Sequence, residues 1–111
     1  MDQAVKKSDV IDFPTNQMRD NASQAAQFLK AIANESRLMI LCHLEDKELS
    51  VTELNQHLDL SQSALSQHLA VLRRDGLVTT RRSSQTIYYS RHGKGAIKII
   101  SALREMFCPE P

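Results

Sequence analysis

The two cysteines of this 111-residue chain, Cys42 and Cys108, are the residues best suited to reversible covalent chemistry. In a reducing compartment such thiols are usually free, and when they pair the bond tends to be transient or regulatory. Neither is predicted at a helix N-terminus, where the helix dipole would favour the thiolate. From the residues alone, a cysteine at the position of Cys42 is more often a small apolar residue of the core. His43 follows Cys42, but adjacent helical residues do not face each other, so the pair is not a catalytic dyad.

Side chains with hydrogen-bonding groups are concentrated within one short predicted helix. These candidate base-reading residues are Gln62, Ser63, Ser66, Gln67 and His68. The major groove admits one α-helix, whose N-terminal side chains read base edges, and glutamine can pair bidentately with adenine. The alternative is a helix face that is merely soluble, and for His68 a structural hydrogen bond is an alternative to a base contact.

Basic residues are unevenly distributed along the chain. Residues 61–95 carry a net charge of +5, whereas the whole chain carries only +1, so the remainder carries −4. Such a dipole steers one face toward polyanions. The cations expected to contact phosphates or the minor groove are Arg73, Arg74, Arg81 and Arg82.

Apolar spacing and capping residues predict the elements that position these groups. A first helix runs from about Asn16 to Ala33, and a second, central one follows the cap Asn34. Ser50 with Glu53 forms a capping box that starts a short third helix. The remaining signals are a Ser61 cap and a Gly76 stop for the fourth helix, and a strongly apolar fifth helix that Pro109 ends.

Residues 77–80 and 86–89 are rich in β-branched and aromatic residues, which predicts a hairpin with residues 81–85 as its basic tip. Residues 1–15 are polar and are predicted to form a flexible tail, which leaves a single domain over residues 16–108. The predicted fold is mainly α with a small β-hairpin: a winged helix-turn-helix of five helices and a two-stranded wing.

The run LSVTELNQHLDLSQSALSQHLAVLRRDGLVTTRR resembles the helix-turn-helix and wing of ArsR/SmtB-type bacterial regulators, and the run ANESRLMILCHL resembles their second helix. The resemblance covers roughly residues 20–108. It implies a homodimer built from the first and last helices, and symmetric DNA half-sites about one helical turn apart.

The chain departs from that family at its metal sites. Ser50 and Thr52 stand where the third-helix site has two cysteines, and hydroxyls do not replace thiolates as ligands for soft metals. The final helix lacks the spaced histidines of the alternative zinc site, since His92 stands alone before Gly93. No metal or other cofactor is therefore expected.

The pair Cys42 and Cys108 resembles the HlyU/BigR-type branch of the family, and the SQSALSQHLA and LRRDGLVTTR runs are most similar to its HlyU side. This resemblance implies a dithiol switch that responds to oxidants or reactive sulfur species. In the residues themselves the support is partial. Arg104 would favour a charged Cys108 and Glu105 would oppose it, while Glu45 and Asp46 would oppose ionisation of Cys42.

The sequence therefore predicts a cytoplasmic, homodimeric regulator that binds a double-stranded DNA operator under thiol control. The chain shows no secretion signal and no apolar run long enough to span a membrane. It has no phosphate-cradling glycine loop, paired catalytic carboxylates or nucleophile motif, so an enzyme is not expected. The alternatives are a regulator without redox control and a winged-helix module that binds proteins.

Overall fold

The computed structural model describes residues 15–108, which form five helices and three strands. In chain order the elements are α1 (Thr15–Ile32), α2 (Glu35–His43), β1 (Leu49–Ser50), α3 (Val51–His57), α4 (Gln62–Arg74), β2 (Val78–Ser83), β3 (Thr86–Arg91) and α5 (Lys94–Phe107). The predicted winged helix-turn-helix is confirmed. The predicted tail lies outside the described residues, except for Thr15, which begins α1.

The core lies where α2, α3 and α4 meet and extends to α5 and the base of the wing. Every helix from α1 to α5 except α3 contributes at least two buried apolar residues, and the side chains with the largest fully buried volumes are Ile40, Leu41, Leu44, Leu54, Leu65, Leu69, Leu72 and Leu77. Leucines at spacings of three and four on α4 put one face of that helix entirely against this core.

Local capping residues begin these helices as predicted. The Asn34 side chain accepts a hydrogen bond from the backbone N–H of Arg37 at 3.1 Å and starts α2. Ser50 and Glu53 form the reciprocal capping box of α3, and the Ser61 hydroxyl accepts from the Ala64 backbone N–H at 3.1 Å to start α4. These bonds satisfy backbone donors that have no partner within the helix.

Gly76 lies in the turn that leads from α4 into the wing. It has a φ of +76°, a left-handed conformation that glycine adopts without steric cost. The chain then reverses into β2, and the Leu77 backbone N–H donates to the Leu72 carbonyl at 2.8 Å. The glycine thereby sets the direction in which the wing leaves the helix.

The wing differs from its predicted form in two respects. Its strands extend through the polar run, so Arg81 and Arg82 lie within β2, and only Ser84 and Gln85 connect β2 to β3. Ser84 has a φ of +57°, which allows this two-residue connection. Backbone pairing does not require apolar side chains, so composition underestimated the strand lengths.

The second difference is a third strand. The two residues of β1 pair antiparallel with β3, giving the order β1-β3-β2, with Leu49 opposite Tyr89. Two residues are too few to show the alternation by which strands are recognised in a sequence. This strand ties the loop before α3 to the wing.

Candidate nucleic-acid interface and thiol cleft

Four of the five candidate base-reading residues project from the first two turns of α4 into solvent. Gln62, Ser63, Ser66 and Gln67 are all exposed. Ser63 and Gln67 lie on the side of α4 opposite its buried leucines, which fix the orientation of the helix in the core. Ser66 lies on the flank between these two sides, and Gln62 begins the helix three residues before Leu65. This exposed row offers amide and hydroxyl donors and acceptors without a covering element among the described residues.

The fifth candidate, His68, is half-buried and points elsewhere. Its Nδ1 lies 3.2 Å from Nη1 of Arg37, and because a guanidinium can only donate, Nδ1 accepts and the proton of the neutral ring is on Nε2. Burial, followed by the nearby Arg37 charge, lowers the pKa of His68. The same guanidinium donates from Nε to the Ala31 carbonyl at 2.5 Å. His68 therefore links α4 to the end of α1 through Arg37.

The C-terminal end of α4 carries the exposed Arg73 and Arg74. Arg74 pairs with Asp75 at 3.1 Å, and Asp75 also accepts a hydrogen bond from Gln27 of α1 at 2.8 Å. These hydrogen bonds lower the pKa of Asp75. The carboxylate neutralises part of the charge on Arg74 and holds this end of α4 against α1.

A groove separates α4 from the wing. It has a volume of about 440 Å³ and is lined by Ser66, Leu69, Ala70, Arg73, Arg74 and Tyr89. The walls thus combine one candidate base-reading side chain, two cations and the phenol of Tyr89. A groove with cations on its wall and hydroxyl groups along it has the chemistry that binds phosphate oxygens.

The two wing arginines have different surroundings. Arg81 donates from Nε to Glu48 at 3.0 Å and from Nη2 to the same carboxylate, and its guanidinium lies 4.9 Å from the centre of the Tyr88 ring. The hydrogen bond to Arg81 lowers the pKa of Glu48. Arg82 is exposed, and its side chain has no hydrogen bond or ion pair within residues 15–108.

A second pocket lies between α3 and the start of α4. Its lining includes Thr52, Asn55, Gln56 and Gln62 in a volume of about 200 Å³. Within the described part of the chain, the Asn55 Oδ1 is buried without a hydrogen-bond partner. The Ser50 side chain is engaged in the capping box of α3.

The two cysteines line one apolar cleft between α2 and α5. The cleft has a volume of about 270 Å³, and its walls are Leu38, Cys42, Ile100, Leu103, Arg104, Phe107 and Cys108. Both thiols are free and exposed, so the interpretation of Cys42 as a core residue is wrong. The reason is its place on α2: Leu41, the residue before it, takes the buried position.

Arg104 connects the walls of this cleft. Its guanidinium donates to Glu45 at 2.6 Å, and it also interacts electrostatically with Cys42. The hydrogen bond to Arg104 lowers the pKa of Glu45. From the sequence, Arg104 was expected near Cys108 and Glu45 near Cys42. In the structure these two side chains form an ion pair with each other, so each offsets the charge of the other beside the thiols.

Within residues 15–108, no three His, Cys, Asp or Glu side chains are grouped as a metal site would require. In the same residues, no helix has both the length and the apolar character needed to cross a membrane.

Comparison with known proteins identifies the family. A family model described as bacterial regulatory protein, arsR family, matches residues 34–80. The chain is 53% identical over 92 residues to the transcriptional activator HlyU of Vibrio cholerae, covering 83% of this chain and 85% of that protein. The chain belongs to the ArsR family.

Solved structures agree with this assignment. The structure titled reduced HlyU from Vibrio cholerae superposes with a TM-score of 0.78 at 53% identity, covering 84% of this chain and 98% of that one. The transcriptional repressor BigR from Xylella fastidiosa superposes at 0.72 with 38% identity, covering 86% and 94%. The predicted HlyU/BigR-like branch is confirmed. This ArsR-family chain is a transcriptional regulator, and these relatives are named as regulators of transcription, not as enzymes.

Sequence reasoning missed several residues of this ArsR-family surface. Tyr89 was assigned only to a strand, although alternation along paired strands could have placed it on the face of Arg82. Glu48 and Arg37 gave no such signal, because their partners lie 33 and 31 positions away in the chain.

Proposed function

We propose that this protein is a homodimeric, sequence-specific DNA-binding regulator in which α4 enters the major groove. The observation that carries the proposal is the exposed polar row on the first two turns of α4, held in place by a fully buried leucine face. Gln62, Ser63, Ser66 and Gln67 are the proposed base-reading residues. Arg73 and Arg82 are the proposed backbone contacts, which set affinity more than specificity. Arg74 is paired with Asp75 and is left out of this set.

The proposed dimer uses α1 and α5. Five exposed large apolar residues lie on these two helices: Met18, Leu29, Ile97, Met106 and Phe107. Phe107 is 71% exposed, and an apolar surface of this kind on a small soluble domain favours association. A two-fold dimer would present two copies of α4 to successive major grooves on one side of the duplex.

Sedimentation analysis tests this dimer with two neighbouring residues of α5. Ile97→Glu places a charge on the apolar surface and is expected to yield a monomer that binds DNA weakly. Lys98→Glu changes the adjacent exposed position and is expected to remain a dimer. Equal sedimentation of both variants with the unmodified protein would contradict the proposed interface.

For control of DNA binding, we propose a thiol switch formed by Cys42 and Cys108. The support is that both free thiols line the same cleft, one on α2 and one at the end of α5. Formation of a disulfide releases two protons and two electrons, which a hydroperoxide accepts as it is reduced to water and an alcohol. A polysulfide would instead leave sulfur between the two: both thiols and one hydrogen trisulfide give a trisulfide bridge and two molecules of hydrogen sulfide, so the polysulfide is the oxidant.

A covalent bridge would draw the end of α5 toward α2. Because α5 carries much of the proposed dimer surface, the spacing of the two α4 helices would change. Both half-sites must be engaged together, so a small change in spacing costs much of the affinity. The reduced protein is therefore the DNA-binding form in this proposal.

Duplexes selected from a random pool by the reduced protein provide the probe for both proposals. Fluorescence anisotropy is expected to show affinity that falls steeply with salt. Absence of binding to any duplex at low ionic strength would contradict the DNA-binding proposal and favour a protein-interaction module.

The switch is tested with the same probe after peroxide or polysulfide treatment. The treated protein is expected to lose about tenfold or more in affinity, whereas Cys42→Ser and Cys108→Ser keep the reduced affinity. Mass spectrometry of the two cysteine peptides identifies the bridge. If a fully bridged protein binds DNA as tightly as the reduced protein, the thiol switch is contradicted and the protein is a regulator without redox control.

A further inference from the structure

The wing carries two adjacent arginines that the sequence treats as equivalent. In β2 consecutive side chains point to opposite faces of the ribbon. Arg81 lies opposite Tyr88 and Arg82 opposite Ile87, while Thr80 pairs with Tyr89. Arg82 therefore shares a face with Tyr89, and Arg81 lies on the other face.

The face of Tyr89 is the one that turns toward α4. Tyr89 lines the groove of about 440 Å³ together with Ser66, Arg73 and Arg74. Its phenol has no hydrogen-bond partner within residues 15–108. Arg82 does not line the groove but lies farther out along the same face of the wing, toward the tip of the hairpin.

On the opposite face, Arg81 is already engaged. Its guanidinium is paired with Glu48 and lies over the Tyr88 ring. Glu48 comes directly before β1, so the pair joins the outer wing to the loop that begins α3. An arginine paired with a carboxylate has little net charge to offer a phosphate, and releasing it would leave a carboxylate facing the DNA backbone.

Resting on the proposed DNA-binding function, we infer that the groove between α4 and the wing takes one sugar-phosphate strand of the duplex. Arg82 and Arg73 neutralise phosphates from its two sides, and the Tyr89 hydroxyl donates a hydrogen bond to a phosphate oxygen. Arg81 is a positioning residue that braces the wing through Glu48 and does not bind phosphate.

The slope of log affinity against log salt concentration tests this division of roles. For duplex DNA the slope changes by about 0.9 for each phosphate contact that is lost. In a dimer, Arg82→Gln is thus expected to reduce the slope by about 1.8. The double variant Glu48→Gln/Arg81→Gln removes a neutral pair, so its affinity falls through loss of the brace while its slope stays that of the unmodified protein.

Two further variants complete the test. Glu48→Gln frees Arg81 and is expected to steepen the slope. Tyr89→Phe removes one hydroxyl from each subunit and no charge, so at least about a tenfold loss of affinity at unchanged slope is expected. Circular dichroism and thermal melting establish that each variant is folded before its slope is compared.

The outcomes separate this inference from the proposed function. Equal slope losses in the double variant and in Arg82→Gln, or no loss in Arg82→Gln, would overturn the assignment of the two arginines. Unchanged affinity in Tyr89→Phe would remove Tyr89 from the groove contact. A flat salt dependence of the unmodified protein would overturn the DNA-binding proposal itself and this inference with it.

Discussion

The surface of α4 and the thiol cleft are built in opposite ways. Polar side chains of α4 are exposed, but they stand on a helix whose other face, Leu65, Leu69 and Leu72, is fully buried. The cleft has apolar walls, yet it lies at the end of the chain, where Phe107 is 71% exposed. The core of one chain thus fixes the proposed reading surface, while the proposed sensor lies at the exposed end of α5.

Truncation of a buried leucine of α4 is expected to have the largest effect on stability. Leu69→Ala removes a fully buried side chain behind α4 and is expected to cost about 2–5 kcal/mol of unfolding free energy, measured by urea denaturation. Gln67→Ala, two residues earlier on the exposed face, is the matched control. It is expected to change stability by less than about 0.5 kcal/mol while it weakens DNA binding. Similar destabilisation by both would contradict the assignment of the two faces.

The turn at Gly76 tests how the wing is fixed relative to α4. Apart from Gly76 and its two chain neighbours, no heavy atom of residues 15–108 lies within 4 Å of an added Cβ, so Gly76→Ala introduces only the cost of the left-handed backbone. That cost is about 1–2 kcal/mol. Asparagine tolerates this conformation better, so Gly76→Asn is expected to lose less stability. Thermal melting compares the two, and equal losses would argue against backbone conformation as the cause.

The link from His68 to Arg37 makes the smallest and most specific prediction. The pKa of His68 is lowered in the folded state by burial and by Arg37, so the unfolded chain takes up the proton first. The contribution of His68 to the free energy of unfolding is therefore fully present above the ordinary histidine pKa of 6.5, and it is lost as the pH falls below that value. Melting temperature is therefore expected to decrease between pH 7.5 and pH 5.5, about one unit either side of that pKa.

His68→Gln separates this contribution from others. Its amide oxygen can still accept from Arg37 but does not titrate, so part of the pH dependence should disappear. His43, whose pKa is also lowered, first by burial and then by His57, remains in the variant and keeps the rest. An unchanged pH profile would mean that His68 is not coupled to Arg37 in solution.

The sequence predicted the helices, their caps and the order of elements because these depend on local signals. Asn34, Ser50, Ser61 and Gly76 all act within four residues of their positions. It also predicted which face of α4 is polar. Local signals were insufficient for β1 and for the ends of β2, which depend on pairing with β3.

The site residues also differ in whether local sequence or the tertiary fold determines their role. Gln62, Ser63, Ser66 and Gln67 could be selected from one helix alone. The roles of His68 and Arg81 depend on Arg37 and Glu48, which reach them only through the tertiary fold. Exposure of Cys42 likewise follows from how α2 packs, and no periodicity in so apolar a segment distinguishes it from its neighbours.

Discrimination between DNA sequences tests the central claim most directly. The affinity of the reduced protein for a selected duplex is compared with its affinity for a scrambled one, in the unmodified protein and in Gln62→Ala/Gln67→Ala. The account predicts that the double variant keeps its affinity for scrambled DNA but loses preference for the selected duplex, by about 1–3 kcal/mol for each good base contact removed. Retention of the full preference would show that α4 does not read the bases.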